Sequence, residues 1–217
     1  FLDAGCHCLG VDLAEGKIEK GKKVFDEDPN SSRIDLMVQD IYEAEDIGLF
    51  DLIMLRDVIE HIHDQNRFMG FISKFLKPQG KIFFGFPPWQ NPFGGHQQVC
   101  ENRILSTLPW YHLLPEVAYE GMLKLGGESP ERIEGLKEIK TTGISIERFE
   151  SILKRNGYST DCKHHFLFNP NYEIKFGIHP RRQFGIISAI PFIRNFATTA
   201  VYYLVSKNSK DSASRTE

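Results

Sequence analysis

Asp57, Glu60 and His61 stand at i, i+3 and i+4 in the run Asp57-Val58-Ile59-Glu60-His61-Ile62, and His96 follows two glycines in Gly94-Gly95-His96-Gln97. On a helical turn the first three side chains share one face. Two carboxylates and two imidazoles can do one of two things. They can take the proton from an attacking hydroxyl, or they can hold a divalent metal that lowers the hydroxyl's pKa and orients it. His61 and His96 are therefore the candidate general bases, and a divalent metal is the secondary reading. The plainer alternative is that Glu60 and His61 brace a turn. His63, His112 and His179 have no comparable neighbours, and His164-His165 falls in an expected strand whose successive side chains face opposite ways.

A second set of residues is spaced for a nucleoside. Gly5, after Leu2-Asp3-Ala4, lets the backbone turn where a side chain would meet a ligand. Asp12, ending Gly10-Val11-Asp12-Leu13, can accept two ribose hydroxyls, and Asp40 in Gln39-Asp40-Ile41 can accept an adenine amino group. Taken alone, an Asp at a strand end is as well explained as the cap of the next helix. The ordered set carries the functional reading.

These residues need strands and crossover helices to hold them. Short apolar runs at Phe1 to Ala4, Leu9 to Leu13, Ile34 to Val38, Phe50 to Leu55 and Gly80 to Phe86 alternate with helix-compatible stretches at Ala14 to Phe25 and from Asp64 to Leu76. The pattern predicts an α/β fold, a Rossmann-like doubly wound and mostly parallel sheet with helices on both faces and a closing antiparallel strand. Ligands of such sheets bind at the carboxyl ends of the strands. Pro87-Pro88 stops a strand, and the Trp89 to Gln98 segment is a shaped loop at that edge. Ser145 is positioned to cap a helix through Asn156, with Gly157 at its end. Tyr158 to Phe168 and Thr198 to Val205 read as closing strands.

The connection between those closing strands contains Pro170, Pro180 and Pro191. Its apolar part, Phe184 to Val205, is interrupted by Pro191 and Arg194 and preceded by Arg181-Arg182. It reads as a buried connection rather than a membrane-touching element, because no clear basic face is visible. Residues 1–98 are expected to be the cofactor-binding part of one domain, 99–142 an inserted helical cap, 143–206 its C-terminal part and 207–217 a disordered tail. Trp89, Phe93, Trp110 and Tyr111 either line an acceptor pocket or pack against the sheet.

In order along the chain, Leu2-Asp3-Ala4-Gly5-Cys6, Gly10-Val11-Asp12-Leu13, Phe50-Asp51-Leu52-Ile53 with Asp57 to Ile62, and Leu76-Lys77-Pro78-Gln79-Gly80-Lys81 resemble the motifs of class I S-adenosylmethionine-dependent methyltransferases. The resemblance covers about residues 1 to 86. It implies S-adenosyl-L-methionine as cofactor, held by Asp3, Gly5, Asp12, Leu13, Asp40, Ile41, Asp57 and Val58. The implied reaction is methyl transfer to a small-metabolite or glycan hydroxyl. The Asp57, Glu60, His61 and His96 spacing also resembles the metal-binding pattern of small-RNA 2′-O-methyltransferases and, less fully, of ubiquinone-biosynthesis O-methyltransferases.

One departure matters. Only Cys6 to Leu9 separate Gly5 from the second strand, whereas a parallel crossover needs a dozen or more residues, usually including a helix, so about 20 residues of glycine-rich loop and helix are lacking. Either a segment lies outside this sequence or the connection is deleted and the cofactor site damaged. Two rivals therefore stand beside the enzyme: a catalytically degenerate methyltransferase fold that binds a ligand or partner, and a nicotinamide-dependent oxidoreductase. The oxidoreductase lacks support from any complete Gly-x-Gly-x-x-Gly.

With 217 residues, 41% of them hydrophobic, and a net charge of −3, the chain can bury a substantial core but has no general field for a nucleic-acid backbone. Its four cysteines form neither a disulfide framework nor a paired zinc pattern. No secretory signal or bilayer-length apolar run is visible, and the first residues read as mid-fold. The expectation is a cytoplasmic protein acting on a small or glycan acceptor, with no nucleic-acid partner and no stable membrane insertion.

Overall fold

Residues 1–48 and residues from 49 onward form two compact units in a computed structural model that describes residues 1–208. In the first unit, β1 (Cys8–Asp12), α1 (Glu15–Phe25) and β2 (Ile34–Val38) make one parallel β-α-β crossover, with Cys8 opposite Ile34 and Asp12 opposite Val38. Helix α1 buries Ile18, and Gly21 lets it approach Leu36 of β2, where an added Cβ would come within 2.9 Å of a leucine methyl.

The strand expected at Phe1 to Ala4 does not form. Leu2–Ala4 is instead a single 3-10 turn closed by Gly5 at φ 82°. The reason is the short connection. With β1 starting at Cys8, only Cys6 and His7 remain to connect it to Gly5, far too few for a parallel crossover. In the doubly wound order the first strand lies between the second and the fourth. Without it, the described strands fall into two sheets, the β1-β2 pair and a five-stranded sheet.

The second unit contains β3 (Phe50–Arg56), α2 (Gln65–Ile72), β4 (Leu76–Phe86), α3 (Arg103–Thr107), α4 (Glu116–Leu125), α5 (Pro130–Thr142), α6 (Ile146–Arg155), β5 (Tyr158–Phe168), α7 (Asn171–Phe176), β6 (Arg181–Arg182), α8 (Gly185–Ala189), α9 (Ile193–Phe196) and β7 (Ala200–Lys207). Its sheet runs β3-β4-β7-β5-β6. Strands β3 and β4 are parallel and joined through α2, while β7 enters antiparallel between β4 and β5. The α/β class and the closing antiparallel strand agree with the sequence reading. Antiparallel pairing extends further than expected, through β5 and β6.

Alternation along β4 buries Ile82, Phe84 and Phe86 on one face. Phe84 and Phe86 meet Phe149 of α6, which in turn meets Tyr203 of β7, with ring centroids 4.8 to 5.0 Å apart. Helix α6 is capped as its sequence implies, the Ser145 hydroxyl accepting the Arg148 N–H, and Asp64 accepts the Arg67 N–H at the start of α2. Helix α2 ends earlier than expected, giving way at Ser73–Phe75 to a 3-10 turn, and Leu76 to Gly80 belongs to β4 through an irregular register against Phe50 and Leu52. Helices α3, α4 and α5 share a separate cluster of Tyr111, Tyr119, Leu123 and Leu136.

Two further expectations are corrected. The connection between β5 and β7 is not buried: Ile174, Ile186 and Phe192 are 89%, 80% and 69% exposed. Its inward positions are taken by polar residues instead, Gln183, Arg194, Asn195 and Thr198 being buried. The expected tail began at Lys207, but Lys207 closes β7; 209–217 lie outside the described residues.

Candidate functional site

The site in the second unit is built where β3 and β4 end. Asp57, directly after β3, sits at φ 53° with its N–H donated to the Gly85 carbonyl at 2.7 Å. A left-handed conformation is uncommon for a non-glycine residue, though Asp and His tolerate it best. The chain then forms a 3-10 turn, Ile59–His61, rather than the helical turn the spacing suggested. Buried Gln65 holds this turn from below, donating to the carbonyls of Ile59 and Thr142 at 3.2 and 2.6 Å. Sequence reasoning missed Gln65, which had no motif to mark it.

His96 arrives from the loop after β4 and is also left-handed, at φ 54°. The loop is braced throughout. Asn91 accepts the Phe93 N–H and donates to the Pro88 carbonyl, and Gln97 donates to the carbonyls of Pro92 and Leu108. The preceding glycines are required by space: a Cβ on Gly94 would lie 2.2 Å from the Trp89 carbonyl oxygen, and one on Gly95 would lie 2.3 Å from the Cβ of His112. His112, read as a residue without partners, is wholly buried in this brace, its Nε2 2.8 Å from the Trp89 carbonyl and its ring edge-on to Trp89 at 4.6 Å. Trp89 and Tyr111 thus pack, while Phe93 and Trp110 remain 41% and 44% exposed.

The result brings Glu60, His61 and His96 together, one ligand-capable atom of each lying within 4.8 Å of the others. The imidazole centroids are 5.1 Å apart, edge to face. Asp57 stands outside the group, because its left-handed backbone breaks the helical spacing that would have aligned it. Burial, with the Asp57 carboxylate adding to it, pushes the Glu60 carboxyl up to about 8. Both Glu60 carboxyl oxygens are buried and lack a hydrogen-bond partner. Burial pulls the His96 imidazole down to about 4, with His61 and His112 contributing. Burial thus favours the uncharged form of both groups.

In the first unit, the carboxyl ends of β1 and β2 present Asp12 and Asp40. The Asp12 carboxylate accepts the Ala14 N–H at 2.8 Å and the Lys17 ammonium at 3.1 Å. The Ala14 bond leads the effects that hold its pKa below the usual carboxylate value, so it is ionised and still has acceptor capacity. Asp40 accepts the Tyr42 N–H at 2.8 Å. Leu13 is 70% exposed and Ile41 half-buried. Asp3 and Gly5 lie on the 3-10 turn, where Asn30 donates to Asp3 at 3.4 Å. Space is open beside Gly5: an added Cβ would find only the Arg33 guanidinium, 3.9 Å away. These residues fit the nucleoside half of a dinucleotide-like or sulfonium cofactor. For its amino-acid half, the turn at Gly5 stands where a strand and loop were expected.

A methyltransferase-domain family model matches residues 1–120. Among characterised proteins, the chain is 34% identical over 80 residues to phosphoethanolamine N-methyltransferase 2 of Caenorhabditis elegans, covering 36% of this chain and 18% of that protein. It is 31% identical over 81 residues to the ubiquinone biosynthesis O-methyltransferase of Coxiella burnetii, covering 37% and 34%. The chain thus spans about a fifth to a third of the length of these relatives. Among solved structures, the glycopeptide N-methyltransferase MtfA complexed with S-adenosyl-L-methionine aligns with a TM-score of 0.52 at 11% identity, covering 96% of this chain and 75% of that one. A possible histamine N-methyltransferase from Thermotoga maritima aligns with a TM-score of 0.51 at 12% identity, covering 92% and 72%. The likeness to these structures is one of fold. The family match sets aside the nicotinamide oxidoreductase. The chain belongs to the class I S-adenosylmethionine-dependent methyltransferase family.

Proposed function

We propose that the chain transfers the methyl group of S-adenosyl-L-methionine to a hydroxyl of a small molecule or glycan. The observation that carries this reading is the imidazole pair His61 and His96 beside buried Glu60. The cofactor would supply an electrophilic methyl on a sulfonium. Within the first unit, Asp12 and Asp40 are assigned to its ribose and adenine, and Asp3, Gly5, Leu13 and Ile41 to the surrounding backbone and apolar contacts. Neutral His96 takes the hydroxyl proton as the nucleophile attacks, and exposed His61 passes it to water. Burial has weakened His96 as a base, so it holds the proton only transiently.

Calorimetric titration of the chain with S-adenosylmethionine and S-adenosylhomocysteine tests the binding half. Methyl incorporation into a panel of hydroxylated acceptors tests the chemistry. His96→Ala and His61→Ala are expected to slow transfer by about 10²-fold or more, the usual range for a general base. Unchanged turnover in both variants would remove them from the reaction. A folded chain that binds neither ligand would support a non-catalytic binding role for the same fold.

The orphaned Glu60 oxygens favour a second reading, a divalent cation held by Glu60, His61 and His96. One carboxylate and two imidazoles suit manganese, zinc or iron better than magnesium. Bound there, a cation would satisfy the buried carboxylate and act as a Lewis acid on the acceptor oxygen. A rise in melting temperature with Mn²⁺ or Zn²⁺ that Glu60→Gln abolishes would support it, and identical melting with metal and with chelator would dismiss it.

A further inference from the structure

The connection from β5 to β7 is pinned at both ends to one point of the sheet. Arg181 and Arg182 pair with Phe168 and Phe166, Gln183 donates its N–H to the His165 carbonyl at 2.8 Å, and Thr199 donates to the Phe166 carbonyl at 2.8 Å. Two excursions, 169–180 and 184–198, therefore leave and rejoin the sheet beside Phe166. Phe166 also lies opposite Ala200 where β7 begins, and Phe86 at the carboxyl end of β4 pairs with Val201. The excursions emerge at the sheet edge that carries the ends of β3 and β4.

Their polarity is inverted. Helix α9 buries Arg194 and Asn195 while Ile193 and Phe196 are exposed. Arg194 donates to Glu147 and Glu150 of α6 at 2.8 and 2.7 Å, and Asn195 donates to Glu147 at 2.6 Å. Glu147 also accepts the Phe192 N–H at 2.9 Å, fixing Phe192 at φ 64°, a strained setting for an aromatic residue. These polar anchors hold apolar side chains outward. Ile174, Phe176, Phe184, Ile186, Phe192 and Ile193 are each at least half exposed. Helices α7 and α8 bury nothing. Six large apolar side chains at least half exposed within the 174–193 stretch exceed the single, scattered exposures of an ordinary surface.

Charge identifies the occupant. Between 168 and 199 the only acidic residue is Glu173, engaged by His179 at 2.8 Å. Among the described residues, no carboxylate lies within ion-pair distance of Lys175, Arg181 or Arg182, and the Arg181 guanidinium stacks on Phe184 at 5.0 Å. A two-fold contact between copies would bring this cationic face against itself without acids to answer it. Phenylalanine and isoleucine interleaved with cations suit an interface of acyl chains and anionic headgroups. No described helix is long and apolar enough to cross a membrane.

We propose that these excursions dock the chain on the surface of an anionic phospholipid bilayer, with Phe192 and Ile186 entering the headgroup boundary and Lys175, Arg181 and Arg182 on the phosphates. The proposal does not depend on methyl transfer. The test is co-sedimentation of the whole chain with phosphatidylcholine vesicles containing none or a third phosphatidylglycerol, alongside sedimentation velocity without lipid.

Anionic vesicles are expected to pellet the chain at least tenfold more effectively than neutral ones, with salt reducing the difference. The double variant Ile186→Asn/Phe192→Asn removes only exposed side chains and keeps the 192 N–H that Glu147 accepts; circular dichroism checks its fold. Its binding is expected to fall at least tenfold. Arg181→Gln/Arg182→Gln is expected to lose the anionic preference. A chain that stays in the supernatant with both vesicles, or variants that bind like the parent, would overturn the proposal. So would a parent that self-associates without lipid and a double variant that does not, which would assign the face to a second copy.

Discussion

Glu150 offers the sharpest test of how the second unit is held together. Its carboxylate accepts from Lys163 at 2.8 Å, Arg194 at 2.7 Å and Tyr203 at 2.8 Å. Burial alone would raise its pKa, but these three donors reverse the effect and bring it down to about 2 from an ordinary 4.5. A displacement of that size is worth about 3 kcal/mol. Because 30% of the side chain is exposed, solvent screening reduces the figure to roughly 1.5–2 kcal/mol. The folded-state pKa is depressed, so this stability is present in full above pH 4.5 and lost as pH falls through 2. Glu150→Gln removes the charge and keeps the shape. Urea denaturation of parent and variant is expected to show a gap of roughly 1.5–2 kcal/mol at pH 7 that closes between about pH 4.5 and 2. Titrating groups that do not feel Glu150 are common to both proteins and cancel in the difference; His165, Tyr203 and Arg194, each raised by Glu150, do not. A gap that stays constant with pH would refute the electrostatic account and leave only a packing effect.

Other outcomes follow from the same geometry. Gly95→Ala puts a methyl 2.3 Å from the His112 Cβ and is expected to cost about 1–3 kcal/mol by overpacking, read as a lower urea midpoint. Phe149→Ala empties the ring cluster of Phe84, Phe86 and Tyr203 and is expected to cost about 3–5 kcal/mol, enough to unfold a marginal domain at 37 °C. Ser145→Ala removes the α6 cap and is expected to cost about 1 kcal/mol in the same assay. Asp12→Asn is expected to weaken S-adenosylhomocysteine binding by about tenfold or more. Its effect on melting should be small, because the Lys17 pair it breaks is exposed; equal affinity in parent and variant would take Asp12 out of the ribose site.

Elements whose signals are local were legible in the sequence. The Asp64 and Ser145 caps and strand β5 stand where their residues predict, because capping and two-residue alternation act within a few positions of the chain. The alignment of Asp57 with Glu60 and His61 was not legible. Whether four residues form a helical or a 3-10 turn depends on what grips them, here Gln65 and the Gly85 carbonyl. His112 and Gln65 were invisible as site supports for the same reason: their partners are 23 and 77 residues away. The apolar run after Arg182 was misjudged because hydrophobicity alone does not say which way a side chain faces.

By itself, the sequence determined the family, the order of strands and helices from β1 to β4 and the places of α6, β5 and β7, and the shortage of chain between Gly5 and β1. Each follows from residue type and from the fixed reach of a backbone. Only the tertiary structure decided that Leu2–Ala4 would turn instead of pairing, that His96 would meet His61 and Glu60, and that Arg194 would go inward and leave Phe192 outside. Those outcomes rest on long-range packing and on where buried charges find partners, free energies that exist only once distant segments are brought together.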